Sequence, residues 1–128
     1  MILDTSAAVA MFRGESEAET FAGRISDADV VRMSVANWFE LMMVLSGQYA
    51  RDAADEAEAF VTHLGVIVEP VSLEQGRIAR QAFLDFGKGR HPAGLNFGDC
   101  FAYALAKAVG EPLLFKGEDF SRTDIQSA

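Results

Sequence analysis

Short apolar runs, MIL at 1–3, VVRMSV at 30–35, VIV at 66–68 and LLF at 113–115, are each followed by a stretch with helical spacing or a turn. Runs this short and mostly apolar, three of them apolar on every residue and VVRMSV interrupted by Arg32 and Ser34, read as strands of a sheet buried on both sides. Strands of that kind, separated by helices, demand a parallel sheet with crossover helices on either face. The pattern therefore predicts a three-layer α/β domain with a mainly parallel sheet of four to five strands. Its 128 residues form one domain, 1–128, long enough to bury a core unaided.

The helices are read from apolar spacing and end signals. Ala7–Phe12 is expected to be helical and capped by Thr5 or Ser6; Glu15–Ala28 presents Phe21, Ala22 and Ile25 on one side. Asn37–Tyr49 is apolar on nearly every face, and Arg51–Leu64 is amphipathic with Gly65 placed to end it. Ser72–Phe86 carries Leu73, Ile78, Ala82 and Phe83 on its apolar stripe, the turn-rich GKGRHPAG spans 87–94, and Asn96–Val109 is closed by Gly110. The tail GEDFSRTDI is expected to add a turn and a fifth strand. Trp38, Phe39, Phe101 and Tyr103 fall at helical spacing, which favours the core over base-stacking platforms.

Carboxylates stand where this scheme offers no open water. Asp4 ends the first strand, on the side where open parallel sheets bind ligands, and is either a helix cap or a ligand. Glu40 interrupts WFELMMVL, where a charge must be paired with an Arg or coordinated. Asp99, three residues after Asn96, fits a capping box and a ligand equally. Glu118 and Asp119 follow the last strand and singly read as turn acids. Gathered at one end of the sheet, such carboxylates repel one another unless a hard cation neutralises them, and oxygen donors of this kind suit Mg²⁺ or Mn²⁺. A bound divalent ion makes a histidine base unnecessary, so His63 and His91 are left without a required role.

The remaining composition sets limits. A lone cysteine, Cys100, excludes an internal disulfide or a cysteine-built zinc site and fits a reducing compartment. The absence of a signal-like N-terminus and of an apolar run near the ~20 residues of a membrane span leads to the expectation of a soluble, cytoplasmic protein. A net charge of −8 argues against a phosphate-backbone binder unless a metal reverses the local field; a basic partner would also suit it. Neither a Walker loop nor a GxSxG elbow occurs.

MILDTSA, SVANWFEL, NFGDCFAYALA and LLFKGEDFSRTDI, in that order and spacing, resemble the motifs of PIN-domain ribonucleases, and most closely those of VapC-type toxins of bacterial toxin–antitoxin pairs. The resemblance spans the whole chain. It implies a parallel sheet flanked by helices and Mg²⁺- or Mn²⁺-dependent endoribonuclease activity leaving 5′-phosphate and 3′-hydroxyl ends. It also implies homodimers, or heterotetramers and larger assemblies with a VapB-type antitoxin. Asp4 and Asp99 fall on the family's principal metal-ligand positions and Glu40 on the third acid, with Thr5 or Ser6 as the hydroxyl steadying the site. The fourth acid is Asp119, with Glu118 as the alternate, because KGEDF is one residue shorter than the family's usual pattern and carries Lys116 where Thr is common. Lys88, Arg90 and Lys116 are candidate RNA contacts. Other readings are a stand-alone PIN nuclease, a haloacid-dehalogenase-like phosphotransfer domain with Asp4 as nucleophile, and a non-catalytic module for a basic partner. The phosphotransfer chemistry usually wants a second Asp two positions on, where Ser6 stands.

Overall fold

The computed structural model describes residues 1–48 and 52–128. Four parallel strands, β1 (Ile2–Leu3), β2 (Arg32–Ser34), β3 (Ile67–Glu69) and β4 (Leu113–Leu114), lie in the order β3-β2-β1-β4. The helices are α1 (Thr5–Phe12), α2 (Ala18–Asp27), α3 (Val35–Gln48), α4 (Ala53–His63), α5 (Leu73–Phe86) and α6 (Phe97–Val109), with a 3₁₀ turn at Phe120–Arg122. Tyr49 and Arg51, expected to end one helix and begin the next, lie outside the described residues.

The two-residue period of a strand divides the core. Leu3 and Leu114 face α1–α4 and pack with Ala7, Met33, Leu41 and Leu45, whereas Ile2 and Leu113 face α5 and α6 and pack with Ala82, Leu95, Ala102 and Leu105. Both faces are covered, as the short all-apolar strands require. β1 is central: Ile2 pairs with Arg32 on one side and with Leu113 on the other.

Several local expectations change. The edge strand β3 leaves Ile67 and Val68 exposed at 47% and 37%, because nothing among the described residues packs outside it. No fifth strand forms in the described tail; it makes the 3₁₀ turn and then a single bridge between Leu113 and Ser127. α2 starts at Ala18 rather than Glu15, since the chain must turn at Gly14, whose φ of 64° suits glycine. α3 begins directly from β2, with the buried Ser34 hydroxyl accepting from the Ala36 amide at 3.3 Å. Phe39, expected in the core, is 59% exposed. No helix among the described residues is long and apolar enough to cross a membrane.

Leu105, on α6, is 1% exposed and fills the α5–α6 side of the core. Leu105→Ala should lower unfolding stability by about 2–5 kcal/mol, while Val109→Ala, on the exposed end of the same helix, should change it little; urea denaturation of both variants checks the assignment of this face.

Candidate functional site

At the carboxyl ends of β1 and β4 the chain leaves the sheet, and the N-terminal turns of α1, α3 and α6 converge there. A cavity of about 340 Å³ opens at this point, lined by Asp4, Ser6, Glu40, Asn96, Asp99 and Lys116 among others. Arg13 and Glu15 stand at its margin.

Asp4 is the first residue after β1 and is 2% exposed. It, not Thr5 or Ser6, caps α1: its Oδ2 accepts from the Ser6 amide at 2.8 Å and from the Ser6 hydroxyl at 2.5 Å. A residue that fixes the helix start while still in extended conformation is the ordinary N-cap geometry, and the chain entering from a strand supplies that conformation. Its other oxygen, Oδ1, is buried without a hydrogen-bond partner. Burial raises the Asp4 pKa, opposed by the hydrogen bonds from Ser6 and reinforced by the nearby Glu40 charge.

The two hydroxyls after Asp4 divide their work. Ser6 Oγ holds Asp4 and accepts from the Lys116 amide at 2.9 Å, tying α1 to the loop after β4. Thr5 Oγ1 instead donates to Glu40 Oε2 at 2.6 Å. Glu40 is half-buried and has no Arg or Lys partner among the described residues, so the salt-bridge alternative is not what those residues contain.

Asp99 sits at the third position of α6 in a complete capping box with Asn96: its Oδ2 accepts from the Asn96 amide at 2.8 Å, and its own amide donates to Asn96 Oδ1 at 2.9 Å. Its pKa is pushed up to about 7, chiefly by burial and further by the charges of Asp4, Asp119 and Glu40. The cap and the acid cluster therefore coexist in one side chain.

The tail acids differ in their surroundings. Asp119 contributes to the field at Asp99, whereas Glu118 is turned to its own loop, its Oε2 accepting from Ser121 at 3.3 Å. Both are exposed. Lys116 spans the margin of the cavity, its Nζ ion-paired with Glu15 and, at 3.0 Å, with Glu17. Lys88 and Arg90 do not line the cavity; Arg90 stands over the Phe83 ring at 5.2 Å. His63 is exposed, and His91 Nδ1 accepts from the Ala93 amide.

Two residues essential to this geometry were not singled out from sequence. Asn37, fully buried, donates from Nδ2 to Thr5 Oγ1 at 3.2 Å and to the Gly98 carbonyl at 3.1 Å, so it fastens α1 and α6 to α3. Gly98 leaves room for the Glu40 carboxylate: a Cβ there would overlap it, so any side chain at 98 requires that carboxylate to move. The signals were present: an amide three residues before an isolated acid in an apolar helix, and a glycine inside a helix start where glycine is costly.

The donors fit a hard cation. They are all oxygens, one of them, Asp4 Oδ1, is buried and without a partner, and neighbouring carboxylate charges help to raise the pKa of Asp4 and of Asp99. Among the described residues, no group of three or more His, Cys, Asp or Glu side chains stands close enough together to hold a metal ion as the side chains are placed.

The acid cluster fixes the sign of a pH effect. A carboxyl whose folded pKa is raised binds more protons in the folded state than in the unfolded state between the ordinary carboxyl range and about 7. Stability in chelator should thus fall as pH rises from about 4 to about 7, and Asp99→Asn should flatten that decline. Thermal denaturation across this range, with chelator and with added divalent ion, measures it. Gly98→Ala should displace the Glu40 carboxylate and weaken divalent-ion stabilisation of the fold while leaving a folded chain, as followed by melting temperature against ion concentration.

Known proteins resemble this chain over nearly its whole length. The PIN domain profile matches residues 1–126. Ribonuclease VapC28 of Mycobacterium tuberculosis is 46% identical over 129 residues, covering 100% of this chain and 97% of that protein. Among solved structures, the Mycobacterium tuberculosis VapC20 sarcin–ricin loop cleaving toxin superposes with a TM-score of 0.78 at 20% identity, over 99% of this chain and 97% of that one. A toxin–antitoxin complex from Klebsiella pneumoniae matches with a TM-score of 0.70 at 16% identity, over 96% and 92% of the two chains. A four-stranded parallel sheet carrying an acid cavity at its carboxyl end, with near-complete matches to these relatives, places the chain in the PIN-domain family, beside its VapC ribonucleases.

Proposed function

We propose that this protein is a divalent-metal-dependent endoribonuclease toxin whose active site is the cavity around Asp4. The observation that carries the reading is Asp4 itself: a buried carboxylate with one oxygen held by Ser6 and the other without a partner, facing other acids across a cavity that a substrate could enter. Asp4, Asp99, Glu40 and Asp119 would hold the ion, with Mg²⁺ the expected species and Mn²⁺ a substitute; Glu118 is the alternate to Asp119. When bound, such an ion neutralises the carboxylates, acidifies a water and polarises a phosphoryl oxygen.

The chain's own groups supply positioning. Ser6 donates both its amide and its hydroxyl proton to Asp4 Oδ2, which leaves Oδ1 as the oxygen available for coordination. Thr5 orients Glu40 through Oε2, and Asn37 holds Thr5 in turn. Asp99 is fixed through Oδ2 by the Asn96 amide, so its second oxygen is presented without side-chain freedom being spent. Lys116 is positioned to meet a substrate phosphate, exchanging its contacts with Glu15 and Glu17 for the RNA. Lys88 and Arg90 would meet the strand outside the acid cavity.

The partners follow from the same reading. The names of the relatives support a cognate VapB-type antitoxin, and a cationic segment of such a partner would suit the acidic cavity of a chain with net charge −8. Exposed apolar residues on α3, with Phe39 at 59% and Met43 at 58%, offer a surface for a second copy. Homodimers and larger toxin–antitoxin assemblies are the expected states. The cytoplasm is the expected location.

Asp4→Asn, which keeps the cap acceptor, should leave a folded protein that cuts RNA at least 100-fold more slowly, and chelation of divalent ions should have the same effect on the wild type; gel assays on single-stranded RNA with circular dichroism as the folding control measure both. Full activity in folded Asp4→Asn protein would overturn the assignment. In the same assay Asp119→Asn should cost more activity than Glu118→Gln.

A further inference from the structure

On the far side of the first turn of α6 from the acid cavity lies a second cavity, of about 350 Å³, between α5 and α6. It is lined by Phe83, Phe97, Phe101, Ala79, Cys100 and Arg80, with Gly76 at one end. Phe97 is 79% exposed although aromatic, and its ring meets that of Phe101 edge-on, with centroids 4.9 Å apart. Arg90 reaches from the 87–94 loop to lie over Phe83. The two cavities share one wall: Asn96 and Asp99 face the acids, while Phe97, Cys100 and Phe101 face the groove.

The cations of the chain are distributed unevenly. Among the described residues, Arg13, Arg32, Lys107 and Lys116 are ion-paired with carboxylates, and Arg24 donates to the Ala128 carbonyl. Arg77, Arg80, Lys88, Arg90 and Arg122 take part in no ion pair among those residues. They lie on α5, on the loop that follows it, and on the 3₁₀ turn, where Arg122 donates to the Pro92 carbonyl of that same loop. The exposed acids of α5, Glu74 and Asp85, fall on another side of the helix from Gly76, Arg80 and Phe83, and Asp85 accepts from Gln81. In a chain of net charge −8 this leaves two guanidinium groups at the groove, Arg80 in its lining and Arg90 over Phe83, in no ion pair among the described residues.

We infer that the α5–α6 groove is a nucleobase subsite, in which a base of single-stranded RNA next to the cut stacks against Phe97 while Arg80 and Arg90 meet the adjoining backbone. Aromatic faces flanked by guanidinium groups are how proteins hold unpaired bases without a duplex, and both elements are present here. An apolar partner surface would account for the phenylalanines but not for the unpaired cations around them; charge complementarity selects a polyanion. The shared turn of α6 makes the occupant of the groove a neighbour of whatever occupies the acid cavity. The inference rests on the ribonuclease reading and extends it, from where RNA is cut to how the strand is held.

The test is binding of a fluorescein-labelled single-stranded RNA of about ten nucleotides, within the range of known single-strand sites, to the full chain in chelator, read by fluorescence anisotropy. Phe97→Ala should weaken binding roughly 5- to 150-fold, the loss expected for one stacked base, whereas Phe97→Trp should retain it. Arg80→Gln and Arg90→Gln, both on the surface and harmless to folding, should weaken binding and reduce its salt dependence. In the cleavage assay with divalent ion, Phe97→Ala should raise KM far more than it lowers kcat. Wild-type affinity in folded Phe97→Ala and Arg80→Gln proteins overturns the subsite. So does a shift of Phe97→Ala from dimer to monomer in sedimentation with RNA affinity unchanged, which would make the groove an interface between copies. Wild type that cuts RNA without this base-dependent binding overturns the subsite alone; wild type that neither binds nor cuts overturns the ribonuclease reading with it.

Discussion

The buried carboxylate of Asp4 is the constraint around which the rest is arranged. A charge placed at the end of a strand that is itself fully buried cannot be solvated, and the fold answers with the cap it makes to α1 and with Ser6. That answer satisfies one oxygen only. Everything else at the cavity follows from keeping the second oxygen available: the strand must be central so that neighbouring elements deliver more carboxylates, and the helices on both faces must begin at the same end of the sheet.

The relation between the acids and the scaffold is mediated by polar groups that never enter the cavity as ligands. Asn37 connects three helices through Thr5 and the Gly98 carbonyl, and its own Oδ1 is buried without a partner. Such a network holds side chains in place because each link has few alternatives in a dry interior. The same economy appears at Asp99, where one residue starts a helix and carries a strongly shifted carboxyl. Function and folding are thereby written into the same atoms, and a substitution aimed at one is felt by the other.

The legible part of the sequence was what depends on period and on isolated charge. MIL, VVRMSV and LLF marked strands because they are short, rich in apolar residues and each followed by a helical stretch or a turn, and Glu40 stood out because apolar residues flank it closely on both sides. The exposed edge of β3 was not legible, since VIV reads alike in a central strand and at an edge where neighbours decide exposure. Thr5 and Ser6 were visible as hydroxyls near an acid, but which oxygen each would meet depended on how close α3 comes to α1. Lys116 looked like a free cation until Glu15 and Glu17, a hundred residues away in sequence, were brought against it. Phe39 and Phe97 carry no local sign that they remain exposed.

Gly98 has a consequence for the history of such a chain as well as for its chemistry. Because the space beside it is filled by the Glu40 carboxylate, the helix start and the acid from α3 occupy one volume between them. A lineage that lengthens the residue at 98 must shorten, withdraw or replace the acid at 40, and one that loses the acid releases the glycine from its constraint. The two positions, far apart along the chain, should drift as a pair, and chains that keep the acid while abandoning the glycine should be rare.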